Sequence, residues 1–115
     1  MDPQLARGVA QFNAGEFFEA HETWEVLWND TVGAEKQLIQ GLVQIAAGYL
    51  KAESGIRGGA IKLLTRGSAL IRQFPPGAFG LRLAPFVAAV VADLQRLQAS
   101  HDTVNAPQLR GIDGA

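Results

Sequence analysis

Residues 12–28, FNAGEFFEAHETWEVLW, constrain the fold of this chain more than any other stretch. They hold five of its nine aromatic residues, four glutamates and one of its two histidines. Aromatic side chains bury large areas and dominate cores, so the rest of the chain has to enclose this segment. A helix is predicted from about Glu16 to Asn29. At ~100° per residue, Phe17, Trp24 and Trp28 fall on one line, Ala20 and Leu27 widen that face, and Phe18 bounds it. His21 and Glu25 project from inside the arc, with Glu22 just past Phe18. Glu19, Thr23 and Val26 are expected to face water. An imidazole and a carboxylate among large aromatics should be at least partly buried. Buried charges cost several kcal/mol unless they are paired or hydrogen-bonded, so partners are required nearby.

The flanking sequence supplies a helical frame. Asp2 suits an N-cap and Pro3 the first helical position, with Leu5, Val9 and Phe12 following at helical spacing. Asn13-Ala14-Gly15 ends that helix, because glycine tolerates the left-handed cap. A third helix is predicted from about Ala34 to Glu53. Its broad apolar arc includes Leu38, Leu42, Ile45 and Tyr49. Its opposite stripe carries Gln37, Gln40, Gln44 and Lys51, in line with Gly41 and Gly48. Interior glycines cost a helix ~1 kcal/mol each relative to alanine, so this stripe is expected to meet another helix. Amides both donate and accept, and Gln40 and Gln44 are therefore the expected partners of His21, Glu22 and Glu25. A fourth helix from about Gly59 to Gln73 presents Ala60, Leu64, Gly67 and Ile71. Phe74-Pro75-Pro76-Gly77 stops it. A last helix runs from near Pro85 to about Ser100, with Val87, Val90, Val91, Leu94 and Leu97 inward.

Residues 7–27 resemble residues 47–67 at an offset of forty: Gly15 aligns with Gly55, Ala20 with Ala60, and Trp24 with Leu64. Each copy reads as helix, glycine turn, small residue, helix, a spacing weakly like that of tetratricopeptide hairpins. The expected fold is all-α: about five helices in a compact bundle, two antiparallel hairpins plus a closing helix. Residues 1–100 form one domain, and residues 101–115 are expected as a loose C-terminal tail with His101 exposed.

Composition narrows the function. No run of ~18 apolar residues is present to span a membrane, and the N-terminus lacks the basic and apolar regions of a signal peptide. A cytoplasmic protein is expected. The chain has no cysteine, hence neither disulfides nor thiolate sites. Residues 1–37 carry seven acids and two bases, residues 38–115 four acids and eight bases. Opposed halves of this kind can attract each other within one fold; the alternative is a basic patch that binds an anion or an acidic partner. The bases are spaced along helices without interleaved aromatics, so nucleic acid is not an expected partner. Nothing names a protein partner; apolar helix stripes are compatible with a homodimer.

His21-Glu22-x-x-Glu25 resembles half of a helical metal site, with His21 and Glu25 one turn apart. The zincin motif requires a second histidine where Glu25 stands, and His101 is remote. No cofactor is expected, a divalent metal being the alternative. A His–Glu pair can also perform general acid–base chemistry. The segment contains no Ser or Cys nucleophile and the chain no phosphate-cradling glycine loop. Two readings therefore stand. One is a binding or interaction module with a buried His/Glu/Gln cluster. The other is a metal-dependent or acid–base hydrolase-like enzyme using His21, Glu22 and Glu25.

The combined pattern Phe12-x-x-Gly15, then Glu19-x-His21-Glu22-x-x-Glu25-x-x-Trp28, then Gln40-Gly41-x-x-Gln44 and Gly59-Ala60, resembles domain of unknown function family 309. The likeness covers residues 9 to about 71. It implies a small all-helical cytoplasmic protein of prokaryotes without a settled biochemical role, and it marks the same His, Glu and Gln positions. Two departures are visible: Trp24 stands where an aliphatic residue is usual, and Lys51 where a histidine is common. If position 51 completes a metal site in relatives, this chain lacks that ligand.

Overall fold

Asp2 and Pro3 start the first helix as their chemistry dictates. The Asp2 carboxylate accepts the backbone N–H groups of Gln4 and Leu5 at 2.8 and 3.1 Å, satisfying two otherwise unpaired donors. The computed structural model describes residues 1–101 and 104–112. Its helices are α1 (Pro3–Asn13), α2 (Phe17–Asn29), α3 (Gly33–Glu53), α4 (Arg57–Arg72) and α5 (Leu83–Gln98). A single 3₁₀ turn, Ala78–Gly80, lies between α4 and α5. Among the described residues there is no strand, only an isolated bridge between Leu81 and Gly111. No helix among them is long and apolar enough to cross a membrane.

The internal repeat is a property of the structure. Gly15 and Gly55 both take left-handed backbone angles, φ 79° and 76°. In the first turn, the N–H groups of Gly15 and Glu16 donate to the carbonyls of Phe12 and Gln11. In the second, Gly55 and Ile56 donate to Ala52 and Lys51. Both are the same Schellman cap, forty residues apart. Ala20 and Ala60 are each fully buried. Gly8 faces Trp24 so closely that a methyl group on it would fall on the indole, and forty residues on Gly48 faces Leu64 with the same result. Trp24 is accommodated because Gly8 has no side chain, and its indole N–H donates to the Leu5 carbonyl at 3.2 Å.

The glycine stripe of α3 does meet a helix, and the helix is α4. A Cβ on Gly67 would lie 2.8 Å from the Gly41 carbonyl oxygen, and one on Gly41 would lie 2.7 Å from Ile71. The α3 and α4 backbones therefore pass in near contact. Gln44, midway between Gly41 and Gly48 on the same stripe, belongs to the α4 side of the helix. The stripe was legible in the sequence; which of two neighbours it met was not.

The core centres on Phe12, which is 2% exposed. Its ring meets Phe17, Trp24, Tyr49 and Phe86 at centroid distances of 5.2–5.9 Å, joining α1, α2, α3 and α5.

Residues 104–112 are not the loose tail expected at a chain terminus. Leu109 is fully buried. The Asn13 side chain grips Leu109 from both sides, donating to its carbonyl at 2.9 Å and accepting its N–H at 2.8 Å. Gln108 donates to the Asn13 carbonyl, and Arg82 donates to the carbonyls of Gly111 and Ile112. A buried leucine and a clamped backbone turn this terminal segment into a strap across the ends of α1 and the α4–α5 connection. His101 is exposed, as expected.

Candidate functional site

Of the eight residues singled out by sequence, the structure brings three together, all on α2. His21 Nε2 lies 3.2 Å from Glu25 Oε2, and His21 Nδ1 lies 3.5 Å from Glu22 Oε1. The first distance is within reach of a hydrogen bond; the second is too long for one. The imidazole is 26% exposed, while the glutamates are 59% and 53% exposed. Ligand atoms of the three residues all lie within 4.8 Å of one another. His21 is thus partly buried as expected, but Glu25 is not.

The helical wheel misplaced the edge of the apolar arc. Phe18, taken as its boundary, is 55% exposed. Thr23, expected in water, is buried, and its hydroxyl donates to Gln11 Oε1 at 2.6 Å. The arc is rotated toward α1, which covers Thr23 and leaves Phe18, Glu22 and Glu25 on the open side.

The other candidates lie apart from the cluster. Glu19 is exposed. Trp28 is half-buried, with the Lys36 ammonium 4.0 Å above its ring centre, a cation–π contact that fixes the start of α3 on the end of α2. Lys51 is exposed with its stem beside Gly59. Gln40 and Gln44 are half-buried, and Gln44 Oε1 is enclosed without a hydrogen-bond partner. Among the described residues no hydrogen bond joins either glutamine to His21, Glu22 or Glu25. The polar group is therefore a feature of one helix face, not a bridge between α2 and α3.

A second polar pair was not anticipated from the sequence. Tyr49 donates to Asp93 Oδ2 at 2.6 Å, linking α3 to α5 in the interior. Burial holds the Asp93 carboxyl above the ordinary carboxylate range, partly offset by the bond from Tyr49, the charge of Arg96 and the N–H of Asn105. Burial, helped by the bond and charge of Asp93, also drives the Tyr49 phenol well above its ordinary value. The signal was present: Asp93 lies three residues after Val90 and four before Leu97, on the inward face of α5. A carboxylate at such a position needs a donor, and Tyr49 was already on the apolar arc of α3.

What the site defines is a class: a two-hairpin helical protein with an imidazole between two carboxylates on an open helix face. No curated protein matches the chain. The family described as "Domain of unknown function (DUF309)" matches residues 5–63, just over half of the sequence, and the chain belongs to that family. The matched region spans α1, α2, α3 and the start of α4 and so includes the His21 cluster.

Proposed function

We propose that this protein is a small helical binding module whose recognition site is the α2 face around His21, and that the site takes a divalent transition-metal ion. The observation that carries this reading is the mutual approach of ligand atoms from His21, Glu22 and Glu25 within 4.8 Å. An ion ~2.1 Å from both Nε2 and Oε2 would subtend ~100° across their separation, between octahedral and tetrahedral values. Glu22, beside Nδ1, would hold the N–H of that nitrogen and present Nε2 as the ligand, the role carboxylates play behind metal-bound histidines. With His21 and Glu25 as its protein ligands, the ion would keep open positions for water or for a partner's donor.

A hydrolase needs a cleft that encloses its substrate. The grooves between α4 and α5, beside Asp30 and Glu35, and beside Ala52 and Leu97 are lined by other residues. The cluster lies in none of these three grooves, and both of its glutamates are more than half exposed, which favours binding over catalysis.

The test is calorimetric titration with Zn²⁺ and Ni²⁺, with Co²⁺ absorption as a second readout. One ion per chain is expected, abolished by His21→Ala, weakened ~10–100-fold by Glu22→Gln, and unchanged by His101→Ala. Equal binding in native protein and His21→Ala, or no binding at millimolar metal, would overturn the reading.

A further inference from the structure

Helix α5 begins with ten consecutive apolar residues, 83–92. A helix apolar all round is one that is covered all round. Here Phe86 and Val90 face the core, yet Ala84, Ala88 and Ala92 are exposed. Between α4 and this half of α5 runs an open groove of about 500 Å³. Its floor is Ile71, Leu83 and Val87, each at most 7% exposed. Ala84 and Ala88, one turn apart, keep the α5 wall shallow, where larger side chains would fill the channel. The single charged residue lining it is Arg72, which is exposed and forms no ion pair among the described residues.

An apolar channel with one cation at its edge complements an apolar chain with one anionic end. The volume falls in the ordinary small-ligand range of ~300–1,000 Å³, and a channel open along one side suits an extended chain. We propose that this groove binds a free medium-chain fatty acid, the acyl chain lying over Ile71 and Val87 and the carboxylate pairing with Arg72. The charge match selects the ligand: guanidinium groups recognise carboxylates by paired N–H donors, while a neutral alcohol of equal length would meet only the floor.

The test uses the full chain, titrated with octanoate, decanoate and dodecanoate below their micelle concentrations. Calorimetry gives Kd, and ¹H–¹⁵N spectra locate the contact. Amide shifts are expected to concentrate on residues 83–91 and Arg72. Each two-carbon extension should tighten binding about four-fold for a half-covered chain and about fifteen-fold for a fully covered one, until the groove is full. Arg72→Gln should weaken decanoate about ten-fold and leave decanol unchanged. Ala88→Trp should abolish binding of both, in a protein shown by its helical circular dichroism and melting to be folded. His21→Ala should leave binding intact, which separates this site from the metal face. The proposal is overturned by any of four results: no saturable decanoate binding, native-like binding in Ala88→Trp, equal weakening of acid and alcohol by Arg72→Gln, or a native dimer that Ala88→Trp converts to monomer. Binding to anionic phospholipid vesicles without binding to the free acid would also overturn it.

Discussion

The hairpin α1–α2 and the hairpin α3–α4 share one backbone plan and place different chemistry on it. Both need a glycine opposite a bulky side chain, a left-handed glycine in the turn, and a buried alanine after it. Outside those positions they diverge. The counterparts of His21, Glu22 and Glu25 are Ile61, Lys62 and Thr65. Ile61 is half-buried like His21, so an aliphatic side chain satisfies the packing at that site. The lesson is that the hairpin requires the frame and does not require the cluster. At the first of these positions the second hairpin carries an aliphatic residue, so packing alone does not call for the imidazole of His21.

The two hairpins differ most in bulk at Trp24 and Leu64, and the largest effect is expected there. Trp24→Leu gives the first hairpin the residue of the second. It removes a ring stacked on Phe12, opens a cavity and loses the indole N–H bond to the Leu5 carbonyl. A loss of about 3 kcal/mol is expected in urea unfolding; a loss below about 1 kcal/mol would mean that the two pairs are interchangeable. Gly8→Ala should cost about 2–3 kcal/mol, because a rigid indole cannot yield. Gly48→Ala should cost less, since the Leu64 side chain can shift and alanine's helix propensity returns ~1 kcal/mol.

Asn13 has Glu53 as its counterpart, and of these two it is Asn13 that bonds the strap. Asn13→Ala should cost about 1–3 kcal/mol by leaving the buried Leu109 backbone unpaired, and should speed hydrogen exchange of the Leu109 amide. Unchanged exchange would show that the strap is held elsewhere.

Tyr49 has Val9 as its counterpart, so the tie to α5 belongs to the second hairpin alone. The Asp93 carboxyl holds its proton more tightly in the folded chain than in the unfolded chain, whose ordinary value is 3.8. Folded protein therefore binds more protons over the window above 3.8, and stability falls as pH rises through it. The Tyr49 phenol is raised in the same sense from 10.0, so stability falls again above pH 10. Melting temperature against pH should show both declines. Asp93→Asn should remove the acidic one and Tyr49→Phe the alkaline one; slopes that persist in these variants would assign them to other groups.

The smallest effects should come from the cluster itself. Glu22→Gln and Glu25→Gln, both at residues more than half exposed, should each change stability by no more than about 0.5 kcal/mol. A loss above about 2 kcal/mol in either would show that the cluster supports the fold.

Much of the frame was legible because it depends on local rules. The Asp2-Pro3 start, the Gly15 and Gly55 caps and the forty-residue offset follow from backbone chemistry that each residue carries with it. The direction of the glycine stripe was not legible, since helical periodicity gives a face and not the neighbour that fills it. The same limit rotated the α2 arc, exposing Phe18 and burying Thr23. The strap was not legible because Asn13, which clamps it, is far away in sequence and its apolar residues follow neither a helical nor a strand period. The His21 cluster was found, and its expected glutamine partners were not brought to it. The Tyr49–Asp93 pair was not legible because helical periodicity places each residue on a face of its own helix and does not say which helices meet.

The clamp between Asn13 and Leu109 joins residues 96 apart in the chain. Contacts of such separation are entropically the most expensive to close, and they reward folding only after the intervening helices have docked. The strap is therefore expected to assemble last and release first. Its release would uncover the end of α1, where Phe12 organises the aromatic core, without dismantling either hairpin. The matched family region ends at residue 63, so the element that seals its first turn lies beyond it, and shortening the chain at its C-terminus would be felt at residue 13.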